Sequence, residues 1–251
     1  MTGAVSEAKG GEGDYYAGFL SSPEYRESRA RKAAVVGAII GEEIRSAEVI
    51  GDLGSGTGLL KRELERICGK RIFGFEVDRE VVIARERTCV ADGGRLPIPD
   101  ASFDLLIVNH VYEHVGEPRR LFEEVSRVLR PGGRAYVTAG SRWAIMEPHY
   151  RLPFLSWLPQ GPADSYVRLT RRGEGYRGIR FLGYGSLRRA LCVAGLHTTD
   201  ITEQALGAVV GSGRESKWRM PWRMLSLLPQ PVRRAALRWA PQWFFLLTRN
   251  D

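Results

Sequence analysis

The chain has 251 residues, 43% of them apolar, and carries a formal net charge of +8 at pH 7. This length and composition suit one folded domain, which we predict over residues 1–251. No apolar run approaches the roughly 20 residues that a membrane-spanning helix needs. Residues 1–13 lack the apolar core of a signal peptide, and their Gly, Ala and Glu content predicts disorder.

The three cysteines and four histidines do not show the spacing of a metal site. Cys68, Cys89 and Cys192 fall in predicted helices or strands, so we expect them to pack in the core as free thiols. Free thiols are typical of a reducing compartment. The pattern therefore predicts a cytoplasmic protein with no metal.

The most informative segment is residues 49–58, where an apolar strand runs into a glycine-rich turn that opens a helix. Gly54, Gly56 and Gly58 let the backbone turn sharply and leave no Cβ between it and a ligand. We expect free N–H groups at the helix start to favour anionic or electron-rich ligand atoms. The segment predicts a nucleotide-like cofactor site. A dehydrogenase-type dinucleotide site is disfavoured, because the third glycine of G-x-G-x-x-G is replaced by Leu59.

Strands and helices alternate after this loop, which predicts a doubly wound, mostly parallel α/β sheet. The second strand ends on Glu76, about 20 residues beyond the loop, where such folds place the acid that binds ribose. The third strand ends on Asp92. The predicted strands cover residues 71–76, 89–93, 102–109 and 134–139, and the predicted helices cover 79–86 and 118–129.

Four stretches occur in the order and spacing of a known family: residues 51–58, 74–78, 91–115 and 121–138. They resemble the class I S-adenosylmethionine-dependent methyltransferases, in particular the small-molecule branch that includes the ubiquinone and menaquinone methyltransferases. The resemblance implies a seven-stranded Rossmann-like sheet, with a sixth strand at 197–204 and an antiparallel seventh at 243–248. It implies methyl transfer from S-adenosylmethionine to O, N or C of a small-molecule or lipid-like acceptor, with S-adenosylhomocysteine as product.

The resemblance also implies which residues contact the cofactor. At its methionine end these are Gly54, Ser55, Gly56, Asn109 and His110. Glu76 is expected to hold the ribose hydroxyls and Val77 to pack on the adenine. Asp92 is expected to accept from the adenine amino group, beside the Gly93 backbone. For Asp52 two roles stay open, a cofactor contact or a brace for the turn.

An N-terminal cap helix is predicted within residues 14–41, with its helical pattern from residue 23 to residue 40. In related enzymes such a segment closes over the cofactor. An aromatic side chain there, here Tyr16, shields the sulfonium by a cation–π contact. Ordinary packing of this segment on the sheet edge is the alternative.

A general base is needed only if the acceptor nucleophile carries a proton of high pKa. His149 is one candidate, because it lies in a predicted substrate-side insertion, and Glu147 is a further one. His114 is another, just beyond the fourth strand. The alternative for His149 is a structural hydrogen bond, and the pair Glu113-His114 is shared by family members with different substrates.

Charge and tryptophan content separate the two parts of the chain. Residues 1–140 hold 20 Lys and Arg against 22 Asp and Glu, whereas residues 141–251 hold 17 against 7 and all six tryptophans. The second part contains two predicted substrate-side insertions, 141–181 and 205–240. Its Arg and Trp residues suit a peripheral contact with anionic membrane, a nucleic-acid surface, or a lid over a small apolar pocket.

Nucleic acid is disfavoured as a partner, since the motifs resemble the small-molecule branch and no RNA-binding module is visible. We therefore expect a cytoplasmic enzyme, with peripheral membrane contact left open. Two alternatives remain for the function. The chain could be a non-catalytic module that binds S-adenosylmethionine and regulates a partner, or a methyltransferase that acts on RNA.

Overall fold

A computed structural model describes residues 22–211 and 216–250, without the side chains of 216–219. The helices are α1 (Pro23–Ser46), α2 (Leu59–Cys68), α3 (Pro118–Val128), α4 (Gln160–Leu169), α5 (Tyr184–Val193), α6 (Thr202–Gly211), α7 (Ser216–Ser226) and α8 (Gln230–Leu237). The strands are β1 (Ile50–Leu53), β2 (Ile72–Glu76), β3 (Thr88–Val90), β4 (Phe103–Asn109), β5 (Leu129–Gly140), β6 (Met146–Glu147), β7 (Leu152–Pro153), β8 (Leu196–Asp200) and β9 (Gln242–Arg249). Short 3₁₀ turns cover Arg79–Val81, Tyr112–His114 and Leu155–Trp157.

Seven strands form one sheet in the order β3-β2-β1-β4-β5-β9-β8, and β9 is antiparallel to both of its neighbours. The predicted mostly parallel seven-stranded sheet is therefore confirmed. Strands β1 to β5 are parallel, so their carboxyl ends meet at one edge. Strands β6 and β7 form a separate antiparallel ribbon beyond that edge, with Met146 opposite Pro153 and Glu147 opposite Leu152.

Both faces of the sheet are covered by apolar helix surfaces, as the near-continuous apolar strands require. On one face α1 and α2 pack on the strands, through the buried residues Val36, Ile44, Leu64, Ile107 and Phe244. On the other face α3 and α5 do so, through Phe122, Val125, Leu187, Val137 and Phe245. The two layers leave the carboxyl edge of β1 and β4 free to carry a site.

Three predicted elements are shorter than expected. The helix predicted at 79–86 is only a 3₁₀ turn at Arg79–Val81, because the N–H groups of Ile83 and Ala84 both donate to the Thr57 carbonyl. Strand β3 ends at Val90 rather than 93, because the chain turns at Asp92. The sixth strand ends at Asp200 rather than 204, because α6 begins at Thr202.

Helix α1 begins at Pro23, where Ser22 accepts a hydrogen bond from the Tyr25 N–H (3.2 Å), and continues beyond the predicted end at 41 to Ser46. Its backbone leaves the helical conformation at Ile40 (φ −124°, ψ 23°). The predicted disorder of residues 1–13, the first part of the cap helix and Tyr16 lie outside the described residues.

The core prediction for the cysteines is wrong at two of three positions. Cys89 and Cys192 are exposed, and only Cys68 is partly buried. Within the described ranges, no three His, Cys, Asp or Glu side chains are grouped so as to hold a metal ion. None of the described helices combines the length and apolar character that a bilayer crossing requires.

Candidate active site

The glycine loop lies between β1 and α2, and its three glycines have positive φ angles of 69°, 54° and 73°. A Cβ at Gly54 would stand 2.5 Å from a methyl carbon of Val111, and one at Gly58 would stand 2.5 Å from the Ala84 carbonyl oxygen. A Cβ at Gly56 would meet no atom within 4 Å. Gly54 and Gly58 are therefore required by the fold, whereas Gly56 faces open space.

The loop is fastened to the end of β2. The N–H groups of Gly54 and Ser55 donate to the Phe75 carbonyl (2.8 and 3.0 Å), and the N–H of Gly56 donates to Glu76 Oε2 (2.7 Å). The N–H of Gly58 donates to the Ser55 carbonyl. Four N–H groups of the loop are therefore used within the chain, and the expectation of free N–H groups at the start of α2 stays a prediction. A loop whose N–H groups are used within the chain offers little to a pyrophosphate.

Beside the loop lies a cavity of about 200 Å³. Its walls come from the loop, from the ends of β1 and β4 and from α1: Tyr25, Arg29, Lys32, Asp52, Gly54, Ser55, Gly56, Thr57, Leu60, Asn109 and His110. The structure thus brings together six of the residues that were predicted to contact a cofactor, namely Asp52, Gly54, Ser55, Gly56, Asn109 and His110.

Asp52 is a buried carboxyl group in the wall of this cavity, with 1% of its surface exposed. Its Oδ2 atom has no hydrogen-bond partner within residues 22–211 and 216–250. Burial raises the pKa of Asp52 to about 7, with Lys61 opposing the rise and Glu76 adding to it. A buried carboxylate without a partner is costly, so the site fits a cationic ligand group.

Helix α1 supplies three cavity residues that the sequence analysis did not assign to the site: Tyr25, Arg29 and Lys32. The Arg29 guanidinium lies 4.8 Å from the centre of the Tyr25 ring. Burial and the neighbouring Arg29 lower the pKa of Lys32 to about 8. The sequence signal that could have identified them is their spacing of i, i+4 and i+7, which places these side chains on one face of α1.

At the end of β4, the Thr138 hydroxyl donates to Asn109 Oδ1, which leaves the Asn109 amide N–H groups for other partners. His110 has φ 56°, a conformation that costs of order 1–3 kcal/mol outside glycine and is concentrated at functional sites. Its Nδ1–H donates to the buried Glu113 (2.8 Å). Burial lowers the pKa of His110, so the ring is neutral at pH 7.

A second group of side chains lies near His110, whose pKa the neighbouring His149 helps to lower. The rings of His114 and His149 meet edge to face with centroids 5.0 Å apart, and the Phe181 ring is 6.0 Å from His149. The buried Glu147 accepts from His149 Nδ1–H (2.8 Å) and from the Tyr150 N–H (2.6 Å). All three predicted base candidates, His114, Glu147 and His149, therefore lie in one cluster, which we call the histidine cluster (His110, Glu113, His114, Glu147 and His149).

Four predicted cofactor residues do not line this cavity and lie at the ends of β2 and β3: Glu76, Val77, Asp92 and Gly93. Val77 is exposed, and Asp92 is exposed with its Oδ1 accepting from the Gly94 N–H (2.8 Å). Gly93 packs closely, since a Cβ there would stand 3.2 Å from Leu121. The Ala91 N–H donates to the Glu76 carbonyl, so Asp92 follows directly after the residue that borders Glu76. Contact of these residues with the ribose or the adenine remains a prediction.

The sequence matches known proteins along most of its length. The methyltransferase domain family matches residues 51–137. A demethylmenaquinone methyltransferase of Tropheryma whipplei is 30% identical over 206 residues, which are 76% of this chain and 80% of that protein. The chain belongs to the class I S-adenosylmethionine-dependent methyltransferases.

A ubiquinone/menaquinone biosynthesis C-methyltransferase of Laribacter hongkongensis is 28% identical to this methyltransferase, over 51% of this chain and 60% of that protein. Two solved structures have the same fold. A methyltransferase of Mesorhizobium loti has a TM-score of 0.54 at 18% identity, covering 88% of this chain and 98% of that one. A possible histamine N-methyltransferase of Thermotoga maritima has a TM-score of 0.53 at 17% identity, covering 94% and 95%.

We expect Glu76→Ala to weaken binding of S-adenosylhomocysteine about tenfold or more, because the expected ribose hydrogen bond to this carboxylate contributes ~1.5–3 kcal/mol and the Gly56 N–H also loses its acceptor. Titration calorimetry measures the change. Glu123→Ala, an exposed carboxylate paired with Arg119 on α3, is the matched control and should bind normally. An unchanged dissociation constant in Glu76→Ala would refute a ribose contact.

Proposed function

We propose that this methyltransferase methylates a small, largely apolar or lipid-like acceptor whose nucleophile loses a proton, and that His149 takes that proton. The observation that carries the proposal is the pair formed by the buried Glu147 and His149, near His110 of the cofactor cavity. Relatives named for methylation of demethylmenaquinone and of ubiquinone or menaquinone precursors support an acceptor of this chemical class.

The cavity residues fit the amino-acid end of S-adenosylmethionine. The Oδ2 atom of Asp52 lacks a partner in the described chain and suits the ammonium group. Arg29 and Lys32, like charges on one wall, suit the carboxylate. Gly54, Ser55 and Gly56 would line the same end. Glu76 accepts three backbone N–H groups, from Gly56, Val77 and Asp78, and its remaining lone pair on Oε2 would accept from a ribose hydroxyl.

When bound, S-adenosylmethionine supplies an electrophilic methyl group on a sulfonium. The chain has to hold the acceptor atom in line with that methyl, and alignment alone contributes on the order of 7–11 kcal/mol. Neutral His110 and His114 add no positive charge next to a sulfonium, since burial lowers the pKa of both rings. This arrangement favours a cationic cofactor electrostatically.

Glu147 determines how His149 can act. The carboxylate accepts from Nδ1–H, so the proton of the neutral ring is on Nδ1 and Nε2 carries the free lone pair. That lone pair would take the proton of an acceptor hydroxyl or carbon acid, and the bound cofactor would supply the methyl group and leave as S-adenosylhomocysteine with the electron pair of the broken carbon–sulfur bond. His114 packs edge-on against this ring and would keep it in place, or serve as base for a differently placed acceptor.

For location we propose the cytoplasm, with peripheral contact at a membrane that holds the lipid-like acceptor. To take up such an acceptor from a bilayer, the enzyme needs an apolar surface that leads into its active site. The Arg-rich and Trp-rich part of the chain, residues 141–251, is the candidate for that contact.

Labelled methyl transfer from S-adenosylmethionine to demethylmenaquinone, in its reduced and its oxidised form, tests the acceptor class. Incorporation into the reduced form supports it, since the reduced ring carries ionisable hydroxyl groups. Tight S-adenosylhomocysteine binding without transfer to this or to any quinone-like acceptor would contradict it.

With an active acceptor, His149→Ala should lower kcat about 10²–10⁴-fold while leaving S-adenosylhomocysteine binding intact. Glu147→Gln should shift the pH profile of kcat, because Glu147 positions the ring rather than reacting. His197→Ala, the histidine on β8, is the matched control. Normal kcat in His149→Ala would exclude His149 as the base.

We expect S-adenosylhomocysteine to bind roughly eight-fold more tightly at about pH 7.5 than at about pH 6, because only ionised Asp52 pairs with the ammonium group and its pKa is raised to about 7. Above about pH 8 Lys32 loses its proton and opposes the gain. Asp52→Asn should bind weakly with little pH dependence. Calorimetry across this range gives the test, and the same pH dependence in Asp52→Asn would count against the contact.

A further inference from the structure

A continuous apolar surface covers the outer side of the β6–β7 ribbon. Five of its six side chains are between 40% and 65% exposed. We call it the tryptophan patch, and its members are Trp143, Ile145, Met146, Phe154, Trp157 and Trp239. Ring contacts join its parts: the centroid distances from Trp143 are 5.6 Å to Trp157 and 5.5 Å to Trp239, and Phe154 lies 5.1 Å from Trp157. Contiguous exposed apolar patches mark binding surfaces.

The backbone under the patch is strained. Arg151 and Phe154 have φ angles of 54° and 57°, which are uncommon for any residue with a Cβ and a clear outlier for a bulky one. The Phe154 N–H donates to the Ile145 carbonyl (2.7 Å), which holds the two strands of the ribbon together. The chain therefore keeps a large aromatic ring outside in a costly conformation, as is typical of functional segments.

Arginines lie near the patch. The Arg142 guanidinium lies 5.8 Å from the Trp143 ring centre, and Arg238, next to Trp239 in the chain, has its guanidinium 5.8 Å from the Tyr184 ring centre. Arg151 pairs with no carboxylate in residues 22–211 and 216–250. Residues 141–181 contain seven arginines against three acids, of which Glu147 is buried on His149. The surface is therefore apolar with a cationic border.

We propose that the tryptophan patch docks this methyltransferase on an anionic lipid bilayer. Tryptophan rings favour the headgroup level, apolar side chains enter the acyl boundary, and arginines bind anionic lipid. A second copy is a poorer occupant, because pairing the patch with itself would bring the same arginines face to face. RNA is also poorer, since Ile145 and Met146 cannot stack on bases.

Docking connects the bilayer to the active site. Met146 faces outward and is exposed, whereas the next residue, Glu147, is fully buried against His149. One short ribbon thus carries Met146 of the membrane contact on one face and Glu147, the carboxylate that holds His149, on the other. This step rests on the proposed function, because only a lipid-like acceptor needs an entrance from a bilayer.

The test is co-sedimentation of the full chain with vesicles of phosphatidylcholine alone or mixed with phosphatidylglycerol. Binding should require the anionic lipid and should weaken at high salt, where surface charges are screened. The double variant Met146→Ser/Phe154→Ser should bind such vesicles at least about tenfold more weakly, because it removes two apolar side chains from the buried contact.

Ile67→Ser/Phe73→Ser is the matched control, since these side chains are exposed to 43% and 42% and lie at the amino ends of the strands, opposite the ribbon. It should bind vesicles like the natural chain. Calorimetry with S-adenosylhomocysteine checks folding and the cofactor site in every variant, so failed docking is distinguishable from a failed methyltransferase assignment.

Three results would overturn docking. The first is equal vesicle binding by the Met146/Phe154 variant and the natural chain. The second is a dimer in gel filtration that this variant converts to monomer while vesicles bind neither protein. The third is binding to a single-stranded RNA oligonucleotide, without binding to vesicles, that the variant abolishes.

Discussion

The hydrogen bond from the Gly56 N–H to Glu76 joins the first βα turn to the end of the neighbouring strand, and the rest of the site depends on it. Together with the two bonds to the Phe75 carbonyl it uses three successive loop N–H groups. A pyrophosphate would need those groups. The loop instead presents an open face at Gly56 and acidic groups nearby, which suits a cationic ligand.

The charges around the cavity follow from the same arrangement. Asp52 and Glu76 lie beside the loop, and buried Glu113 lies behind His110 with one oxygen unpartnered in the described chain. Although burial opposes its ionisation, the hydrogen bond from His110 lowers the pKa of Glu113. Acids with neutral imidazoles hold a sulfonium better than a hydrated surface would, because fixed dipoles in a dry site need no reorganisation.

Sequence reasoning succeeded where the signal is local. Three features each depend on a pattern within about 25 residues of sequence, and the sheet confirms them: the glycine loop, Glu76 at the end of β2, and the alternation of strands and helices. It failed where hydrogen bonds or contacts join segments that are far apart in the sequence. No local pattern shows that Thr57 captures the N–H groups of Ile83 and Ala84, or that Arg29 and Lys32 of α1 reach a loop more than 20 residues ahead.

In the β6–β7 ribbon that follows β5, one two-residue strand contributes both to the exposed tryptophan patch and to the proposed catalytic pair. Successive side chains of a strand point to opposite faces, so Met146 and Glu147 lie on opposite faces of the ribbon. Glu147 is buried against His149 and Tyr150, and Met146 is exposed on the other face. The base is positioned by the same register that exposes the tryptophan patch. A slip of one residue would remove the carboxylate from His149 and the apolar side chain from the surface in a single step.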